Sequence, residues 1–80
     1  MKKIIFVCLG NICRSPMAEF VMKSLTDHYQ IESRATSSWE HGNPIHKGTQ
    51  GIFKIHGIDY DVTKSSQQIS KDDFEHFDYI

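Results

Sequence analysis

The stretch Ile4-Ile5-Phe6-Val7-Cys8-Leu9-Gly10-Asn11-Ile12-Cys13-Arg14-Ser15-Pro16-Met17-Ala18-Glu19 decides how the rest of the chain is read. Its first four residues form an uninterrupted apolar, β-branched and aromatic run, the pattern of a short parallel strand covered on both faces. After Cys8 come Gly10 and Asn11, the residue types that best tolerate a positive φ. Ser15 then offers a side-chain N-cap and Pro16 a first helical residue. The order is strand, tight loop, helix.

A cysteine leaving a buried strand, with an arginine after five residues and a helix starting at once, has a physical use. Backbone N–H groups of such a loop can converge on one centre, and the free N–H groups and dipole of the helix add positive potential there. The centre suits an anion. A thiolate placed in it is stabilised by the same field, so the pKa of Cys8 is expected below the free-thiol value of about 8.5. Arg14 adds a planar fork that can hold two oxygens of a phosphate, which a lysine does less well. The Cys-x5-Arg spacing alone recurs by chance in about one chain in ten of this size. Strand, turn and helix start in the right order make it specific.

These residues carry a resemblance. Val7-Cys8-Leu9-Gly10-Asn11-Ile12-Cys13-Arg14-Ser15-Pro16 resembles, contiguously, the phosphate-binding loop of the low-molecular-weight protein tyrosine phosphatases. The resemblance implies that Cys8 attacks phosphorus and Arg14 binds the phosphoryl oxygens. It places Leu9, Gly10, Asn11, Ile12, Cys13 and Ser15 around the phosphate. It further implies that Asn11 holds the strained turn and that the Ser15 hydroxyl hydrogen-bonds the thiolate. Cys13 matches a second loop cysteine able to form a protective disulfide with the nucleophile; a small buried side chain is the other reading. Ser33 and Trp39 match a Ser-x-Ala-like segment followed by tryptophan, so Ser33 would support Asn11 and Trp39 would wall the substrate cleft. Arg34 stands where that pattern commonly has glycine. Without the resemblance, core or interface packing would be the expected role of Trp39.

The chain has 80 residues, 39% hydrophobic and 24% charged, with a formal net charge of −1. That composition suits one small soluble domain and gives no polybasic footprint for nucleic acid. No apolar run is long enough to span a membrane, and the run after Met1-Lys2-Lys3 is too short for a signal peptide. Two cysteines without an export signal point to a reducing compartment, so a cytoplasmic protein is expected.

Past the loop, Met17, Phe20, Val21, Leu25 and His28 fall at helical spacing, predicting a helix from Pro16 to about Gln30 with one apolar face. Glu19 is read as a solvated surface carboxylate near the first turn. Ile31 to Ser38 reads as a short strand running into a loop. Asn43-Pro44 predicts a second helix start, with Ile45, Thr49, Ile52, Phe53 and His56 on one side and Gly57 as its stop. Ile58 to Ser70 reads as a surface connection, with Ser70 capping one turn at Lys71 to Phe74. The family often has a basic His-x-Ala-Arg-like segment there, but Thr63 to Gln67 resembles it only loosely and no role is transferred.

Phe77-Asp78-Tyr79-Ile80 looks like the opening of another strand. The resemblance covers essentially the whole chain but about half of a family member, and the Asp-Pro-Tyr motif carrying the family's general acid does not occur. The expected fold is therefore α/β, a parallel three-layer αβα sheet of the low-molecular-weight phosphatase type, truncated after about the start of the third strand. Residues 1–80 would be a single incomplete N-terminal part of the domain, with an unpaired sheet edge inviting self-association. The implied substrate is a phosphotyrosine-containing protein or aryl phosphate, with inorganic phosphate or a similar oxyanion fitting the loop. No cofactor, metal, nucleic acid or membrane partner is expected. Two other readings stand beside this one. A thiol redox enzyme of the arsenate reductase kind shares the fold and loop and needs further cysteines. A zinc module could use Cys8, Cys13, His41 and His46, whose paired spacings fit zinc ligands, although 27 residues separate Cys13 from His41. Exposed loop histidines are the simpler reading of His41 and His46.

Overall fold

The computed structural model describes all 80 residues. In chain order the elements are β1 (Lys2–Cys8), α1 (Arg14–Leu25), β2 (Tyr29–Ala35), α2 (Lys47–His56) and α3 (Lys71–His76). β1 and β2 pair in parallel, from Lys2 opposite Tyr29 to Cys8 opposite Ala35. On the other side of β1, Ile4 bridges in parallel to Tyr79. The Ile5 N–H donates to the Tyr79 carbonyl at 2.9 Å, and the Tyr79 N–H to the Lys3 carbonyl at 3.2 Å. β1 thus lies between β2 and an isolated parallel bridge at Tyr79.

Helix α1 packs across both strands. Phe20 from α1 meets Phe53 from α2 edge-on, ring centres 5.9 Å apart, and Ile45 completes the fully buried cluster. Along β2, Ile31, Ser33 and Ala35 alternate inward and are buried. In β1 only Ile5 is buried, while Ile4, Phe6 and Val7 are half-buried. The two-sided coverage predicted for that run is therefore only partly realised among these residues.

Several sequence expectations shift. α1 begins at Arg14, two residues before Pro16, and Ser15 is not its cap. Pro16 then occupies the third helical position, where its missing N–H still costs nothing because first-turn N–H groups have no intrahelical acceptor. The helix stops at Leu25, not Gln30, because Thr26 turns extended (φ −153°) and Tyr29 and Gln30 are drawn into pairing with Lys2 and Lys3. Leu25 and His28 consequently lie exposed instead of on the apolar face. β2 starts two residues before Ile31 and gives way after Ala35 to the loop expected before Ser38.

α2 starts at Lys47, later than the Asn43-Pro44 signal, because Pro44 is held in an antiparallel bridge to Ser65. Its buried residues are Thr49 and Phe53, with Ile45 buried just ahead of it and Ile52 and His56 outside. Gly57 stops it in the left-handed conformation at φ 66°, which glycine adopts without a Cβ penalty. Ser70 caps α3 as expected, through a reciprocal box with Asp73, and the helix runs to His76.

Candidate active site

The loop between β1 and α1 wraps around the Cys8 thiol. The Asn11 N–H donates to Cys8 Sγ at 3.3 Å, and Ser15 Oγ lies 3.1 Å from the same sulfur. Partial burial resists ionisation of this thiol. The Ser15 hydroxyl and the backbone N–H groups of Ser15, Asn11 and Gly10 outweigh that penalty and hold its pKa below the ordinary value. The expected depressed thiol is thus reproduced, and its cause is a set of converging donors. Ser15 does not cap α1 because its oxygen is spent here and on Asn11.

Asn11 is the one non-glycine residue with a positive φ, 55°, and it is buried to 1% exposure. Its side chain keeps it there. Nδ2 donates to Ser15 Oγ at 2.8 Å and to Ser33 Oγ at 2.9 Å, while Oδ1 accepts from the Gln67 N–H at 3.2 Å. Because Asn11 donates into both hydroxyl oxygens, each hydroxyl proton must be directed elsewhere. The Ser33 proton goes to Glu19 Oε1. The Ser15 proton is left for Cys8 Sγ, its other neighbour being the Arg34 carbonyl at a marginal 3.5 Å. Ser33 is therefore in hydrogen-bonding contact with Asn11, the pair that the resemblance brings together.

Glu19 corrects its sequence reading. It is 3% exposed, not a surface carboxylate, and takes Lys23 Nζ at 2.7 Å and Lys64 Nζ at 3.2 Å as well as the Ser33 hydroxyl. Its place in the second turn of α1, on the side that meets Ser33 of β2, sets this burial. Lys64 comes from the segment read as a surface connection, which is a second correction. Ser65 to Ile69 instead runs along the end of β2 and beneath the loop. Gln68 bridges Ala35, the Ile69 N–H donates to the Ala35 carbonyl at 2.7 Å, and Ser66, buried to 1%, donates its hydroxyl to the Gly10 carbonyl at 2.7 Å. No apolar periodicity marks this stretch, whose one buried side chain, Ser66, is polar and meets a polar partner.

Arg14 is exposed at the start of α1 and forms no ion pair or hydrogen bond with the protein, which leaves its guanidinium open to an anion beside the loop. Leu9 is 49% exposed on the loop's outer side, and Gly10 lies against the Glu40 side chain, where an added Cβ would come within 3.3 Å of Glu40 Cγ. Ile12 is half-buried, and its carbonyl accepts the His46 N–H at 2.8 Å, tying the loop to α2. Cys13 is exposed, which removes the reading of a small buried side chain; the Thr49 hydroxyl donates to its sulfur at 3.2 Å, and both cysteines are free thiols. Trp39 is 78% exposed in the Ser38–Asn43 turns, so it is not part of the core. Arg34 keeps regular strand backbone and reaches Glu32 and Asp73, each at 3.4 Å.

No three His, Cys, Asp or Glu side chains converge so as to hold a metal ion, and the His46 Nδ1 accepts the Gly48 N–H as the cap of α2, so the four residues of the zinc reading do not form a site. The larger cleft, about 530 Å³ between the end of α1 and Gly57–Asp61, lies away from the loop.

The family model of low molecular weight phosphotyrosine protein phosphatase matches residues 3–80. A Gallus gallus low molecular weight phosphotyrosine protein phosphatase is 48% identical over 100% of this chain and 53% of its own length. The crystal structure of a Streptococcus pyogenes low molecular weight protein tyrosine phosphatase superposes with a TM-score of 0.98 at 68% identity, over 100% of this chain and 55% of that one. The crystal structure of a Drosophila arginine phosphatase superposes with a TM-score of 0.88 at 36% identity, over 100% of this chain and 52% of that one. The chain spans about half the length of the relatives it matches.

Proposed function

The chain belongs to the low molecular weight phosphotyrosine protein phosphatase family, and from that premise we propose that the protein hydrolyses phosphotyrosine in proteins, or related aryl phosphates, through a cysteinyl phosphate on Cys8. The single observation that carries this is the Cys8 thiol ringed by the N–H groups of Gly10, Asn11 and Ser15 and the Ser15 hydroxyl.

The thiolate attacks phosphorus in line and the phenolate leaves. Water then attacks the cysteinyl phosphate and the thiolate departs in turn. Ser15 stabilises the sulfur both as nucleophile and as leaving group. The loop N–H groups and Arg14 hold the equatorial oxygens, and this electrostatic stabilisation is the main catalytic contribution in phosphoryl transfer. Leu9, Gly10, Asn11, Ile12 and Cys13 supply the oxyanion's surroundings, and Trp39 flanks the aryl group. Ser33 acts through Asn11. The Asp-Pro-Tyr source of a general acid is not among these residues, so their own chemistry favours leaving groups that need no protonation.

We further infer a cytoplasmic location from two free thiols; no helix is long and apolar enough to cross a membrane. Self-association through the sheet edge at Tyr79–Ile80, both residues exposed, is part of the same proposal for the 80-residue chain.

The test is the alkylation rate of Cys8 at about pH 6, where a free thiol is almost wholly protonated, measured with and without inorganic phosphate and mapped by mass spectrometry. Phosphotyrosine and phosphoarginine peptides are assayed in parallel in the full-length protein. Fast alkylation blocked by phosphate, with turnover of phosphotyrosine, is expected. Slow alkylation that phosphate does not affect would refute the proposal, and preference for phosphoarginine would overturn the substrate class.

A further inference from the structure

We propose that Ser66 is a positioning residue for phosphoryl transfer: its hydroxyl pins the Gly10–Asn11 peptide so that the Asn11 N–H stays aimed at Cys8. This rests on the phosphatase reading above for its consequence, though not for its geometry.

The Gly10 carbonyl and the Asn11 N–H belong to one peptide unit, which is planar and carries the two groups on opposite sides. The structure holds both ends. On one side the Asn11 N–H donates to Cys8 Sγ at 3.3 Å; on the other the Gly10 carbonyl accepts the Ser66 hydroxyl at 2.7 Å. Fixing the carbonyl therefore fixes the donor.

The unit has a reason to turn over. Rotating it by half a turn changes only ψ of Gly10 and φ of Asn11. Gly10 has no Cβ to oppose the change. Asn11 would move from its φ of 55° to about −125°, from the left-handed region into the broad extended one. Locally, then, the flipped peptide is the relaxed form. In that form the carbonyl oxygen would face the thiolate and the phosphate, so an attractive donor would become a repulsive acceptor.

Ser66 is well placed to prevent this. It is 1% exposed, and its own backbone is held from both sides: its N–H donates to the Asn43 carbonyl at 2.7 Å and its carbonyl accepts the Gly42 N–H at 2.9 Å. The next residue, Gln67, donates its N–H to Asn11 Oδ1 at 3.2 Å. One short segment thus holds the carbonyl of Gly10 and the side chain of Asn11 together. Because that segment is anchored by backbone bonds, removing the hydroxyl leaves its course unchanged.

Ser66→Ala in the full-length protein is the test. The midpoint of Cys8 alkylation against pH should rise by about half a unit to one unit as the thiolate loses part of a donor. Inhibition by inorganic phosphate should weaken about fivefold to tenfold, and kcat/KM should fall about tenfold, below the 10²- to 10³-fold cost of deleting an oxyanion donor outright. A merely structural hydroxyl would lower thermal stability and leave the Cys8 midpoint and phosphate inhibition where they were; that result overturns the proposal. Should the variant fail to fold, hydrogen exchange in the unmutated protein decides, since a pinned Asn11 amide exchanges far more slowly than that of exposed Trp39, and equal rates refute the pinning. The thiol titration and the exchange need no substrate. If phosphate fails to protect Cys8 in the unmutated protein, the functional reading falls and the pinning can still be judged.

Discussion

Replacing Ser15 by alanine separates the electrostatic and the structural parts of the loop. In the folded protein, partial burial opposes ionisation of Cys8, and the Ser15 hydroxyl with the N–H groups of Ser15, Asn11 and Gly10 overcomes it. A hydrogen bond to a charged group contributes about 1.5–3 kcal/mol. Cys8 is only half-buried, so the lower end applies, and at about 1.4 kcal/mol per pH unit the Cys8 pKa should rise by about one unit. The sign for stability follows from linkage. A thiol whose folded pKa is depressed contributes stability that is fully present above the unfolded value of about 8.5 and is lost as pH falls through the folded value. The variant should therefore gain less stability than the parent on going from acid to alkaline pH. A second loss should be independent of pH: Asn11 Nδ2, which donates to Ser15 Oγ at 2.8 Å, becomes a buried donor short of one partner, at a cost of about 1–3 kcal/mol. The assay is Cys8 alkylation from about pH 4 to pH 9 together with thermal denaturation across the same range. A Cys8 midpoint unchanged within about 0.3 units would refute the assignment of the Ser15 proton to the sulfur.

Glu19→Gln should destabilise the full-length protein by about 3–5 kcal/mol, because Lys64, only 11% exposed, loses its carboxylate in a buried setting; urea denaturation showing a loss below about 1 kcal/mol would contradict the burial of this ion pair. For the 80-residue chain, sedimentation velocity should show concentration-dependent association through the Tyr79–Ile80 edge, which a compact monomer at all concentrations would disprove.

The sequence made the loop legible because the loop's requirements are local. A strand run, a residue able to take positive φ, a cysteine, an arginine and a helix start must follow one another within a few residues, and any one misplaced would break the reading. The Gly57 stop and the Ser70 cap are legible for the same reason, since a cap is a local hydrogen-bonding need. What escaped was non-local. Glu19 resembles any surface carboxylate near a helix start until β2 brings Ser33 against it and residue 64 supplies a lysine. Ser66 sits in a polar stretch with no period, and its burial comes from the loop's own carbonyl as partner. Ser15 reads as a cap from sequence because the same hydroxyl can serve the helix or the thiol, and local sequence does not say which wins.

That competition explains how the site is assembled. Cys8, Asn11 and Ser15 are close in sequence, yet the groups that orient them come from Ser33, Ser66, Gln67 and, through Ser33, from Glu19. Left to itself the loop would relax: Asn11 would leave the left-handed region, and Ser15 would be free to cap α1. Each remote partner blocks one of these escapes, Gln67 and Ser33 holding the Asn11 side chain, Ser66 the Gly10 carbonyl. A depressed thiol at Cys8 is therefore a property of the folded sheet and of the 65–69 segment beside it, although the sulfur's hydrogen-bonding partners belong to the loop and the first turn of α1. Mutations in that segment should act on the thiol's chemistry before they act on the fold.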